Sequence, residues 1–346
     1  MITETDIPQR GEADLSRSDL LQRPPHGRIL GSTTKPLIVT PTFVSRTDAT
    51  PEEERPHDAG SGVNPSGAEV AHPDRHPSAL AMEPDPNSAF EHFDEYWRKV
   101  HGPKFAYAEP GAANDRVLRY DQLHRIASGP SSAFPPPYRA MVDAGGRLVG
   151  DPAARVPAYR RPSWDGLAYI AYGAESDIEA VLGQEQYARR IIADEQVAFR
   201  MVTREVAREY IILPSERHRD PVSLVKIHRR RPDLTRDAFQ ARWLDAHADL
   251  VAGKPATATY VRRYAQLHPF GSTQEDPEGS KIDGISIFAF ASFNDVEDYL
   301  VSPDYAAIAA DEAAFADPAA SEFWTAVNYS VINRLVPERA TKRASG

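Results

Sequence analysis

The chain contains no cysteine. That absence excludes disulfide frameworks, thiolate zinc sites, cysteine-bound iron–sulfur clusters and cysteine nucleophiles together. Positive charge is also in short supply: 40 Lys and Arg stand against 50 Asp and Glu, a net −10 with histidines neutral. A surface of that sign repels a phosphate backbone, so no nucleic-acid partner is expected. No apolar run approaches the ~20 residues that cross a bilayer, and the opening MITETDIPQRGEADLSRSDL has neither a cationic nor an apolar stretch. No membrane partner and a cytoplasmic location are the expectations. G-x-G-x-x-G, P-loop, G-x-S-x-G and H-E-x-x-H motifs are all missing, so no cofactor and no metal are expected either.

Proline is what the chain has in excess. Of 30 prolines, 12 lie in residues 1–88 and only 9 beyond residue 163. Proline removes a backbone donor, and stretches such as TDATPEEERPHDAGSGVNPSGAEVAHPDRHP (residues 47–77) have almost no apolar surface to offset ordering entropy. Residues 1–34 and 46–88 therefore read as flexible, residues 128–162 as a long proline-rich loop, and residues 338–346 as a basic tail. Between the first two lies KPLIVTPTFVSR (residues 35–46), a β-branched run that predicts a strand, with Pro41 confining it to an edge or a bulge.

At 346 residues the chain has room for two ordinary domains, and comparing it with itself shows three blocks that recur in order. FDEYWRKVH (Phe93, Trp97, His101) matches FQARWLDAH (Phe239, Trp243, His247) at an offset of 146. VLRYDQLH matches VRRYAQLH at 144, and DGLAYIAY matches DGISIFAF at 118. The fall in offset puts 26 extra residues in the first copy, where the proline-rich loop lies. Spacing of i, i+4, i+8 sets Phe, Trp and His on one stripe of a helix, with Thr235 as N-cap in the second copy. SLVKIHRR, the second block and the third block read as strands. Two helical stretches then follow, each closed by a strand. Each copy is thus strand, helix, strand, strand, helix, strand, the ferredoxin-like βαββαβ unit of an α+β fold. One face of such a sheet carries the helices and the other needs a cover, which two tandem units give each other as an intramolecular α+β barrel.

The candidate site residues come from the repeated blocks. His101 and His247 sit late on their helices, where an imidazole either caps carbonyls and favours the dipole or serves as an acid or base. Tyr120, Gln122 and His124 alternate along one face of a strand, as do Tyr264, Gln266 and His268. With both faces covered, three polar groups in a row require either a buried hydrogen-bond network between the halves or a ligand. Trp97 and Trp243 would supply aromatic walls to a pocket. Asp165-Gly166 and Asp283-Gly284 read as turn dipeptides, HRRRPDLTR (residues 228–236) as a solvated loop or an anion site, and His57, His72 and His76 as having no defined role.

The F…W…H helix, the Tyr- and His-bearing second strand, the Asp-Gly pair before the third strand and SPDYAAIAADEAAFAD (residues 302–317) together resemble an EthD domain of the dimeric α+β barrel superfamily. Residues 222–337 match the pattern well. Residues 35–214 resemble it in a degenerate form, with Gln186-Tyr187-Ala188 where the second copy has Asp304-Tyr305-Ala306. The resemblance implies that the helix histidine lines a pocket. It also implies a cofactor-independent enzyme acting on an aromatic or polyketide-like small molecule by proton transfer in decarboxylation, dehydration or cyclisation. His247 would be the acid or base, assisted by His268 and Tyr264, with His101 as its counterpart. The same family and superfamily leave open a cofactor-free oxygenase, a haem protein and a non-catalytic accessory protein. The chain is expected to work as a monomer or homodimer.

Overall fold

Each half of the chain starts from the strand that its β-branched residues predict. The structure, a computed structural model, is described for residues 35–46, 90–106, 113–127, 129–136, 162–199, 201–215, 220–270 and 282–335. The readings of residues 1–34, 47–88 and 338–346, of most of the loop 128–162, and of His57, His72 and His76 lie outside the described residues.

In the first half the strands are β1 (Leu37–Ser45), β2 (Val117–Arg125), β3 (Gly166–Tyr172) and a last strand split into β4 (Met201–Arg204) and β5 (Ala207–Leu213). In the second they are β6 (Val222–His228), β7 (Val261–Pro269), β8 (Gly284–Phe290) and β9 (Glu322–Asn333). Helix α1 runs through Phe90–Tyr96, Trp97–His101 and Gly102–Ala106; α2 is Glu175–Leu182; α3 joins Glu185–Tyr187, Ala188–Ile192 and Ala193–Ala198. Helix α4 runs through Arg236–Arg242, Trp243–His247 and Ala248–Ala252, followed by α5 (Pro255–Tyr260), α6 (Phe293–Val301) and α7 (Pro303–Glu312).

Strand neighbours are β5-β1-β3-β2 in one half and β9-β6-β8-β7 in the other, the same antiparallel order twice. The outer strands then pair across the halves, β2 with β9 and β5 with β7, so that eight strands close on themselves and β4 adds to β1. Closure leaves no unpaired edge among the eight. One apolar cluster fills the barrel, with Phe43, Leu123, Leu167, Val225, Leu267 and Trp324 among its members. Two others lie between sheet and helices, around Trp97 and Tyr120 in the first half and around Tyr264, Phe288 and Tyr299 in the second. Among the described residues no helix is long and apolar enough to cross a membrane.

Pro41 sits inside the barrel rather than on an edge. Its carbonyl accepts from the Glu205 backbone N–H at 3.0 Å, where the partner of β1 changes from β5 to β4. The missing proline donor therefore faces a break in the ladder. Thr235 caps α4 as predicted, its Oγ1 accepting from the Ala238 N–H at 3.2 Å.

Two turn and loop readings are corrected. Asp283 is fully buried and accepts from Arg230 Nη1 at 2.8 Å and Arg236 Nε at 3.0 Å. Asp165 likewise accepts from Arg125 Nη2 at 2.7 Å. Both aspartates anchor the start of a strand by buried ion pairs, and two arginines of the run 228–236, Arg230 and Arg236, are the partners of Asp283 rather than solvated. The glycines that follow are required by close approach: a Cβ at Gly166 or Gly284 would meet the Trp97 or Trp243 ring at 2.1 or 2.5 Å.

Candidate functional site

Alternation sorts the second strand of each half. Arg263, Ala265 and Leu267 on β7 face the barrel interior, whereas Tyr264, Gln266 and His268 face the helices; β2 repeats this with Arg119, Asp121 and Leu123 against Tyr120, Gln122 and His124. The ten residues singled out in the sequence therefore form two groups, each between sheet and helix. The hydrogen bonds among them run within each group, while His124 and His268 each meet a tyrosine ring of the other half, Tyr329 and Tyr210, at 4.8 Å between centroids; none of the ten lines the hollow of the barrel. A cavity of about 250 Å³ does lie there, lined by Arg119, Asp121, Tyr169, Ser223, Arg263 and Asn328 among others, on the opposite face of the same sheet.

The helix that carries Trp and His is not a uniform α stripe. At the same place in both halves it loosens into a π-helical turn, Trp97–His101 and Trp243–His247, a distortion frequent at functional sites. The Trp backbone carbonyl accepts from the strand glutamine, Gln122 Nε2 at 3.0 Å in the first half and Gln266 Nε2 at 2.9 Å in the second. That contact orients the amide, whose other N–H reaches Tyr120 or Tyr264 at 2.9 or 2.8 Å. Gln266 Oε1 must then be an acceptor, so His268, 3.0 Å away, donates from Nε2 and keeps its lone pair on Nδ1. The indoles stack on the strand histidines, Trp97 on His124 at 4.2 Å and Trp243 on His268 at 4.5 Å between centroids.

Each helix histidine is fixed by an aspartate that the sequence reading missed. His101 Nδ1 lies 2.7 Å from Asp194 and His247 Nδ1 2.8 Å from Asp311. A carboxylate only accepts, so Nδ1 carries the proton and Nε2 is left basic. The second carboxylate oxygen takes Lys104 at 2.5 Å in the first half and Arg242 at 2.8 Å in the second. Burial lowers the His247 pKa, opposed by the Asp311 hydrogen bond. Asp311 is pushed up by burial but held below its ordinary value by His247 and Arg242. The signal was present in the chain: Ala-Asp-Glu recurs at 193–195 and 310–312.

The halves differ beside these dyads. In register with β1, the second half has Lys226 and His228 where the first has Thr42 and Val44, and Ser286 where it has Ala168. His228 Nε2 lies 2.8 Å from Ser286 Oγ, Ser286 is hydrogen-bonded to Tyr264, and Lys226 donates to Glu312. Since Tyr264 accepts from Gln266, its own proton goes to Ser286, whose proton goes on to His228. Burial holds His228 and His268 down to about 3 and Tyr264 up to about 12. Burial would raise Glu312, but the Lys226 charge outweighs it and brings it to about 2. Two atoms of this cluster, Trp243 Nε1 and His228 Nδ1, are buried with no hydrogen-bond partner among the described residues. Lys226 and His228 also had a signal, as two titratable residues two apart in a strand with no other charged or titratable side chain.

The family comparison falls on this half. Residues 231–319 match the family model described as the EthD domain. That segment is an EthD domain. It begins just after β6 and ends before β9, so the EthD domain holds Trp243, His247, Tyr264, Gln266, His268, Ser286, Asp311 and Glu312, while Lys226 and His228 come from the strand before it. No curated protein sequence matches the chain. Among solved structures, an anthrone oxidase-like protein overlays at a TM-score of 0.43 with 12% identity, covering 87% of this chain and 95% of its own. A candidate monooxygenase from Lactobacillus acidophilus NCFM gives 0.42 with 8% identity, covering 87% and 97%. One from Fusobacterium nucleatum gives 0.41 with 7%, covering 89% and 98%. These identities are too low to transfer chemistry.

Proposed function

We propose that the EthD half is an acid–base enzyme site, working without a cofactor on a small aromatic or polyketide-like molecule. His247 Nε2 removes a proton from a carbon activated by a neighbouring carbonyl, and Asp311 holds the imidazolium that forms. The chain from Tyr264 through Ser286 to His228 supplies or accepts the second proton, and His268 stacks with Trp243 to wall the site. The observation that carries this reading is the pair of buried atoms without a hydrogen bond, Trp243 Nε1 and His228 Nδ1, the latter facing Glu312 Oε1 at 3.6 Å, beyond hydrogen-bond reach. Buried donors are almost always satisfied, and a carbonyl or phenolate oxygen is the partner these two fit. The first half keeps the dyad but lacks His228 and Ser286 counterparts, so the work falls to the second. Because His247 and His268 are 1% and 5% exposed, admitting a substrate requires the seam between α4 and the sheet to open.

The test uses the purified full chain with 1,8-dihydroxyanthrone and with a 2-hydroxybenzoate as probes, following O₂ uptake and CO₂ release together. O₂ uptake marks oxygenation through the substrate carbanion, and CO₂ release marks decarboxylation. Either activity should fall about 10²-fold or more in His247→Ala and less steeply in Asp311→Asn, while His101→Ala leaves it unchanged. A folded His247→Ala protein with the wild-type rate would overturn the proposal.

A further inference from the structure

The barrel cavity follows from a broken symmetry. Strand pairing relates the halves residue by residue: Leu267 faces Glu209 across β7 and β5, and Leu123 faces Asn328 across β2 and β9. Glu209 and Asn328 therefore occupy matched places. In the same way Tyr169 matches Ile287 and Arg119 matches Arg263. A fully symmetric barrel would hold two Arg–Glu pairs. Here both arginines donate to a single oxygen, Glu209 Oε1, at 2.7 Å from Arg119 and 2.6 Å from Arg263, with the Tyr169 hydroxyl on the same oxygen. On the other side of the pseudo-twofold, the shorter, uncharged Asn328 and the hydroxyl-free Ile287 leave space, and that space is the cavity of about 250 Å³.

We propose that this cavity binds a small organic carboxylate, which takes the place of the second acid opposite the Arg119–Arg263 pair. The site is separate from the histidine cluster, on the other face of the sheet, and does not depend on the acid–base reading. Size allows it: a cavity of ~150 Å³ already accepts benzene. Arginine forks match carboxylate geometry, and Ser223 and Asn328 supply further polar wall. Two acids oppose it. Asp121 lies 3.6 Å from Arg119 Nε, and Asp220 also lines the cavity. Asp121 stands where the other copy has Ala265, so its removal should strengthen binding.

The experiment measures thermal unfolding and calorimetric binding of the full chain with benzoate and with acetate, against chloride at equal ionic strength. Benzoate at about 100 times its Kd should raise Tm by roughly 2 °C or more, Asp121→Asn should tighten binding several-fold, and Asn328→Glu should abolish it by restoring the missing carboxylate. The proposal is overturned if neither carboxylate exceeds chloride in wild type and in Asp121→Asn, or if a folded Asn328→Glu protein binds benzoate as wild type does. Should Asn328→Glu fail to fold, the wild-type and Asp121→Asn measurements decide alone.

Discussion

A methyl group at Gly284 would stand 2.5 Å from Cζ3 and 2.8 Å from Cη2 of Trp243, with a Phe239 ring carbon at 3.1 Å. None of these is the tip of a flexible chain, and both rings are fully buried. Gly284→Ala should therefore destabilise by about 1–3 kcal/mol through overpacking, read as a lower denaturant midpoint with an unchanged m-value. It should also tilt the indole off His268, which a change in tryptophan fluorescence would report. An unshifted midpoint would mean that the indole is not held where the geometry puts it. This glycine shows what one sequence can and cannot disclose. The Asp-Gly pair is visible as a string, and turn propensity is its commonest meaning, but a ring from a residue 41 positions earlier is what requires the missing side chain. The site residues split in the same way. Tryptophan, histidine, tyrosine and glutamine announce themselves by repetition, whereas Asp311 and Glu312 lie in an alanine-rich helix and acquire meaning only when α7 is laid against α4.

Helix α4 is held at its start by one hydroxyl and loosened in its middle by a π turn. Thr235 Oγ1 accepts the Ala238 N–H, so Thr235→Ala should cost about 1 kcal/mol. Circular dichroism on denaturant titration would measure it. Hydrogen exchange would add a second reading, since fraying from that end reaches the π turn at Trp243–His247 before it reaches the rest of the helix. Protection that falls evenly over the whole chain would contradict this order. At the scale of elements the sequence was largely legible, because strand and helix periods, the Thr235 cap and the order of six elements are local properties. What it did not disclose was which face of the second strand meets the helices. Arg119 and Tyr120 are neighbours in the chain, yet one points into the barrel and the other away from it. A pattern of alternating polar residues is compatible with either assignment until the covering layer is known.

Burial of neutral histidines makes the whole molecule sensitive to acid. His228 is held down to about 3 from an ordinary value near 6.5. Between those values the unfolded chain binds a proton that the folded chain refuses, so stability is intact above about pH 6.5 and is lost as pH falls toward 3. Asp121 and Glu322, raised by burial, act in the opposite sense, which is why a difference between proteins isolates the effect. His228→Val installs the residue that the first half carries as Val44, and the Tm advantage of wild type over it should shrink steadily from pH 6.5 to pH 4; a constant difference would refute the assignment. The two halves are also unequal in what they need from each other. Cut out alone, residues 222–337 would have to close β7 against β9 of a second copy, which places Leu267 opposite Asn328 where the full chain has Glu209. Two Arg263 side chains would then share the barrel with no Glu209 between them, and stripping a buried charge of its partner costs about 3–5 kcal/mol. The fragment should dimerise weakly in sedimentation equilibrium, and Asn328→Glu in the fragment should lower the dimer Kd at least tenfold by giving each arginine its own carboxylate. An unchanged Kd would show that apolar packing in the barrel, and not the Arg119–Glu209–Arg263 cluster, decides which halves can pair.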